Sequence, residues 1–209
     1  MIELIDVWKG FKNDWVLKGI NLKIQENGLF AIVGENGSGK TTLIKIISGL
    51  LRPDRGVVKL FGEDLRNNNE YKKRIGVLLH ENILYEELTI QENLEFYSKL
   101  YGTEEDISEV ALRLIEALDL RKYMNFKVRD LSYGLKKRAN IVRALVNNPD
   151  LILFDEPFAG LDENSRSILK DFMIDLAKRK TIIFTTPINP EFGKIFRIEN
   201  GTLYTQFND

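Results

Sequence analysis

The sequence predicts an α/β fold with a mostly parallel sheet and flanking helices, and three observations carry that expectation. Short apolar runs such as Leu29 to Val33 and Leu151 to Phe154 are each followed by a polar turn and a helical stretch. Gly34 to Thr42, which reads Gly-Glu-Asn-Gly-Ser-Gly-Lys-Thr-Thr, fits the phosphate-binding pattern G-x-x-x-x-G-K-[ST] between one such strand and a helix. The middle of the chain is mostly helical and reads as a block inserted into this frame.

Ile2 to Val7 and Val16 to Ile24 alternate in polarity, which suits antiparallel strands ahead of the main sheet. Leu29 to Val33 is a buried strand running into the glycine loop. Beyond it Leu43, Ile44, Ile46, Ile47 and Leu50 recur at helical spacing, with Gly49 and Pro53 marking the exit. Gly56 to Phe61 and Arg74 to Leu79 read as strands joined by the polar stretch Gly62 to Lys73. Thr89 to Tyr101 and Glu104 to Leu118 are helical. Of two candidate N-caps, Thr89 and Ser108, Thr89 fits better because a periodic run follows it directly. Ser132 to Asn148 reads as a helix ended by Pro149, Leu151 to Phe154 as a strand, Ser165 to Arg179 as a helix and Thr181 to Phe184 as a strand. Asn200-Gly201, between Arg197 to Glu199 and Thr202 to Tyr204, signals a tight hairpin.

Composition narrows the partners. The chain has 209 residues, 44% hydrophobic and 29% charged, enough for one globular unit with a core. With 30 basic and 31 acidic residues, the net charge of -1 offers no support for a nucleic-acid binder, and no nucleic acid is expected as a partner. Cysteine is absent, which removes disulfides and thiolate metal sites. Charges interrupt every apolar run before it reaches the length of a membrane span. Acid in Met1 to Asp6 replaces the basic start of a signal peptide, so a cytoplasmic chain is expected.

The loop supplies the first chemistry, that of a P-loop NTPase. The glycines Gly34, Gly37 and Gly39, together with Asn36 and Ser38, let backbone N–H groups turn onto an anion. Lys40 brings positive charge to the β and γ phosphates, the Thr41 hydroxyl is placed for Mg²⁺, and Thr41 and Thr42 open a helix whose N-terminus faces the loop. ATP-type triphosphate and Mg²⁺ are the expected ligands. Asp155-Glu156, at the end of an apolar strand downstream, supplies the carboxylates such a site needs. Asp155 is expected beside the metal, through water, and Glu156 is the candidate for polarising the attacking water.

Together with Leu131-Ser132-Tyr133-Gly134-Leu135 ahead of a basic helix, and Ala159-Gly160-Leu161-Asp162, these motifs resemble the nucleotide-binding domain of ABC transporters over nearly the whole chain, 1–209. The resemblance implies a single such domain with an antiparallel β subdomain and a helical subdomain inserted at roughly 81–149. It implies an ATPase that binds ATP and Mg²⁺, with Phe11 stacking on the adenine. It also implies a homo- or heterodimer in which Ser132 and Gly134 of one copy grip the γ-phosphate held by the other, with Asp162 along the seam. A transmembrane transporter subunit is the implied partner, docked on the Glu81 to Glu87 loop and the Gln91 to Tyr101 helix. The implied location is the inner face of the cell membrane, peripherally bound.

Three departures from the family pattern bear on turnover. Tyr133 and Leu135 replace a glycine and a glutamine of the signature motif. His80, the only histidine, stands where the family has a glutamine that reaches Mg²⁺ and the water, which makes it a candidate catalytic and metal-contacting residue. The phrase from His80 to Thr89 resembles haem- and drug-exporter ATPase subunits. Pro187 stands where the family has a histidine that contacts the γ-phosphate, and proline offers no donor. Slow hydrolysis is therefore expected. Two alternatives stay open: a hydrolysis-impaired ATP-binding partner in a heterodimer, and a soluble ABC ATPase with no transport role.

Overall fold

The computed structural model describes residues 1–12, 14–67, 69–102 and 107–206. Two sheets share the chain. The first is antiparallel and starts with β1 (Ile2–Phe11) and β2 (Asp14–Ile24), both longer than the sequence pattern suggests. β4 (Arg55–Leu60) and β5 (Glu63–Asp64) complete it in the order β2-β1-β4-β5, with β5 arising inside the stretch read as a polar connection.

The second sheet holds β3 (Gly28–Val33), β6 (Ile75–Leu78), β7 (Leu151–Phe154), β8 (Thr181–Thr186), β9 (Lys194–Glu199) and β10 (Thr202–Gln206). Its order is β10-β9-β3-β8-β7-β6, parallel except for the β9-β10 hairpin at one edge. Along β3 alternate residues feed two cores, which is why the strand is apolar throughout. Leu29, Ala31 and Val33 face the helices α2 (Ile90–Leu100), α3 (Glu109–Ala117), α4 (Tyr133–Arg143) and α5 (Glu163–Leu176). Phe30 and Ile32 face α1 (Lys40–Ile47) and the antiparallel sheet. Each fully buried Leu, Ile or Phe side chain contributes about 1.5–3 kcal/mol through its area removed from water.

Helix ends differ from the pattern for identifiable reasons. Thr89 caps α2 in a reciprocal capping box with Glu92, and Ser108 caps α3, so both candidates are used. The expected start at Glu104 lies outside the described residues. α4 stops at Arg143 rather than Asn148. Asn147 turns out of the helix to donate to the carbonyls of Lys73 and Ile75, and Asn148 takes a left-handed φ of 49°. α5 begins two residues earlier than Ser165, because the Asp162 carboxylate accepts from Ser165 N–H and acts as its cap. β8 runs two residues past Phe184. α2, α3 and α4 fall between β6 and β7, and their apolar faces share one core with the parallel sheet. Among the described residues, no helix is long and apolar enough to cross a membrane.

Candidate functional site

The carboxyl ends of β3, β6, β7 and β8 lie side by side, and the polar residues that follow them converge there. The loop after β3 wraps closely onto its surroundings. A Cβ on Gly34 would come 2.5 Å from the Ile198 carbonyl oxygen and 2.6 Å from Ser38 Oγ, so only glycine fits. Gly39, the residue before α1, has a φ of 104°, a backbone conformation open to glycine. Lys40 is buried and its Nζ donates to the carbonyls of Gly34 and Glu35 at 2.9 and 3.0 Å, which fixes the loop from inside.

Asp155, at the end of β7, is 1% exposed and accepts two hydroxyl hydrogen bonds. Thr41 Oγ1 donates to its Oδ2 at 2.8 Å, and Thr185 Oγ1 donates to its Oδ1 at 2.7 Å. Glu156 follows with a left-handed φ of 47°, unusual for a side chain of this kind and costing about 1–3 kcal/mol, which the contacts around it must offset. Its N–H donates to Thr185 Oγ1 at 2.9 Å, and its carbonyl accepts from Lys137 Nζ at 3.2 Å and from Ala159 N–H at 3.2 Å. Its carboxylate lies 3.9 Å from Lys40 Nζ. Burial pushes the Lys137 ammonium down from its usual pKa, against the opposing charges of Asp155 and Glu156.

A cavity of about 490 Å³ gathers Phe11, Val16, Asn36, Gly37, Gly39, Lys40, Thr41, Thr42, His80, Asp155 and Glu156. The structure thus brings Phe11, most of the glycine loop, His80 and both carboxylates to one place. Pro187 lies elsewhere. With Gly34 to Ser38, Trp15, Lys18 and Arg197 it lines a second cavity of about 850 Å³ on the other side of the loop. Ser132, Gly134 and Asp162 also lie outside the first cavity. Ser132 caps α4 and is exposed, and a Cβ on Gly134 would meet nothing nearer than 3.8 Å. Asp162 pairs with Arg138, and the Ser165 N–H and hydroxyl, then Arg138, lower its pKa to about 2.

The first cavity fits a polyphosphate. The Lys40 ammonium sits under the loop beside Thr41 and Thr42, and the α1 N-terminus faces the cradle. For Mg²⁺ the chain offers the Thr41 hydroxyl backed by Asp155, with His80 nearby. Among the described residues no cluster of three or more His, Cys, Asp or Glu could hold a metal alone. That donor set suits a hard cation that takes its remaining ligands from phosphate oxygens and water.

Two functional neighbours escaped the sequence reading. Thr185 is fully buried at the end of β8, and Lys137 is buried on the inward face of α4. Three and six residues further along α4, Asn140 donates to the Glu81 carbonyl at 3.2 Å and Arg143 to the Val77 carbonyl at 2.8 Å. The available signal was a row of polar residues at i, i+3 and i+6 on a face that periodicity assigns to the core.

Comparison with known proteins agrees with this geometry. The family model described as ABC transporter matches residues 17–159. The ABC transporter ATP-binding protein NatA of Bacillus subtilis (strain 168) is 38% identical over 91% of this chain and 81% of its own length. The Nod factor export ATP-binding protein I of Burkholderia lata is 34% identical over 93% of this chain, which spans 65% of that protein. Among solved structures, the ATP-binding cassette MJ0796, described as a dimeric post-hydrolysis state bound to ADP and Pi, superposes with a TM-score of 0.87. It is 27% identical, with 98% of each chain covered.

Proposed function

This chain belongs to the ABC transporter family as an ATP-binding subunit, and we propose that it hydrolyses Mg·ATP, pairs through its nucleotide sites with a second such domain and drives a membrane subunit. The observation that carries this reading is the single cavity shared by the Lys40 loop, the Thr41–Asp155 hydrogen bond and Glu156. In it Phe11 stacks on the adenine, and the loop N–H groups and Lys40 hold the phosphates. When bound, Mg²⁺ would be held by the Thr41 hydroxyl, with Asp155 behind it through water, and would supply positive charge against the phosphate oxygens. Glu156 takes a proton from water as its oxygen bonds the γ-phosphorus. The bond to the β-γ bridging oxygen breaks, giving ADP and phosphate. His80, on the rim, adds a donor or a metal contact.

Ser132 and Gly134 complete the γ-phosphate end from a second copy. The exposure of Ser132, and the absence of any close contact at the Gly134 Cβ position, support that role. Asp162, near them on the D-loop side, lies along the same seam. Exposed Ile83, Tyr85 and Phe96 beside His80 and Glu81 form the surface offered to the membrane subunit, with the Tyr85 and Phe96 rings 5.1 Å apart. The chain then works at the inner face of the membrane. Purification from native membranes tests this. An integral membrane protein is expected to co-purify, and a fully active preparation lacking one overturns the transport reading.

One observation favours a slower variant of this function. Pro187, which lines the second cavity beside the loop, takes the sequence place of the family's γ-phosphate histidine and offers no donor, and loss of such a donor lowers turnover by about 10²–10³. The chain then acts as the weaker partner of a heterodimer, and its ATPase rate rises when the intact partner is added.

A further inference from the structure

Glu156 holds its left-handed backbone between two side chains that the hydrolysis scheme leaves without a task. Thr185 Oγ1, from β8, accepts the Glu156 N–H at 2.9 Å while donating to Asp155 Oδ1 at 2.7 Å. Lys137 Nζ, from α4, donates to the Glu156 carbonyl at 3.2 Å. A side chain therefore grips each peptide unit that flanks the Glu156 Cα, Lys137 sharing the carbonyl with the Ala159 N–H. A non-glycine residue keeps such a conformation only where its surroundings over-determine it, and the direction of the Cα–Cβ bond follows from that backbone. Both grips come from buried side chains, at 0% exposure for Thr185 and 6% for Lys137.

We propose that Thr185 and Lys137 are positioning residues for Glu156, clamping its strained backbone from β8 and α4 so that its carboxylate points at the attacking water. The inference rests on the reading of Glu156 as the base that polarises that water. It also gives α4 a task within its own chain. The helix that presents Ser132 and Gly134 outward holds the base inward.

The test is a set of ATPase and ATP-affinity measurements on purified full-length Thr185→Val, Thr185→Ser and Lys137→Met, alone and combined with Glu156→Gln. A displacement of about 1 Å of a catalytic group can lower rate about 10²-fold, so Thr185→Val and Lys137→Met are expected to lower kcat by about 10–10². ATP affinity stays within about twofold, because neither residue is part of the phosphate cradle. Thr185→Ser, which keeps the hydroxyl, restores most of kcat. On the Glu156→Gln background neither Thr185→Val nor Lys137→Met lowers the residual rate further, since the group they position is gone. The proposal is overturned if both variants turn over at the parent rate, or if their losses multiply with that of Glu156→Gln. A raised Mg²⁺ requirement in Thr185→Val overturns it for Thr185, placing that residue's effect at Asp155 instead. Glu156→Gln turning over at the parent rate removes the base itself, a failure of the premise that is read separately from the other arms.

Discussion

The two halves of the proposed nucleotide site are built in opposite ways. The phosphate cradle is one continuous segment, Gly34 to Thr42, and its main contacts are local: Lys40 bonds carbonyls five and six residues away. The turnover half is assembled from distant parts. Glu156 is held by Thr185, 29 residues later, and by Lys137, 19 residues earlier, while His80 arrives from the end of β6. A continuous segment keeps its function wherever the strand–loop–helix unit folds. An assembled half depends on the register of β6, β7 and β8 and on the seating of α4. Binding is therefore expected to be robust and turnover sensitive to changes far from the phosphates.

Substitutions in the two halves should separate along that line. The largest effect on binding belongs to Lys40→Ala. Hydrogen bonds to charged groups contribute about 1.5–3 kcal/mol each, so removing the ammonium lowers ATP affinity roughly 10²-fold in equilibrium binding. Gly34→Ala comes next. Its Cβ meets the Ile198 carbonyl at 2.5 Å, and overpacking of this kind costs about 1–3 kcal/mol, readable as a fall in denaturation midpoint. Phe11→Ala is milder. Stacking on a base contributes about 1–3 kcal/mol, and since Phe11 is 47% exposed the low end applies, about tenfold in affinity with kcat unchanged.

Asp162→Asn has the smallest effect, a loss of stability near neutral pH that fades in acid. The Asp162 carboxyl is lowered on folding to about 2 by Ser165 and Arg138. A depressed carboxyl contributes stability that is fully present above its unfolded value and is lost as pH falls towards 2. Asparagine also caps helices and keeps part of that stability, so the variant is modestly less stable near neutral pH and meets the parent as pH falls towards 2. Unfolding followed across the acid range should show a flatter loss in the variant between about pH 4 and 2.

The same contrast explains what could be read from the sequence. The β3–loop–α1 unit was legible because its chemistry is contiguous and its flanks are periodic. β7 was legible to the residue, since Leu151 to Phe154 is apolar on both faces and ends in Asp155-Glu156. Asp155 and Glu156 are legible from their place after an apolar strand downstream of the loop, Phe11 and His80 from resemblance to a family pattern, and the fold brings all four to the loop. Thr185 and Lys137 carried no such mark. A threonine at a strand end and a lysine in a basic helix each have many ordinary roles, and only the three-dimensional register brings them to Glu156. Helix ends were misread where a side chain outside the pattern decided them, as Asn147 does for α4 and Asp162 for α5.

The separation of binding from turnover is tested most directly by measuring ATP affinity and single-turnover phosphate release on the parent, Lys40→Ala and Glu156→Gln side by side. Glu156→Gln should keep parent-like affinity while phosphate release falls by about 10²–10⁴, the range for losing a general base. Lys40→Ala should lose affinity first. Phosphate release from Glu156→Gln at the parent rate, or a loss of affinity in that variant equal to the loss in Lys40→Ala, would contradict a site divided between a cradle that binds and an assembled half that turns over.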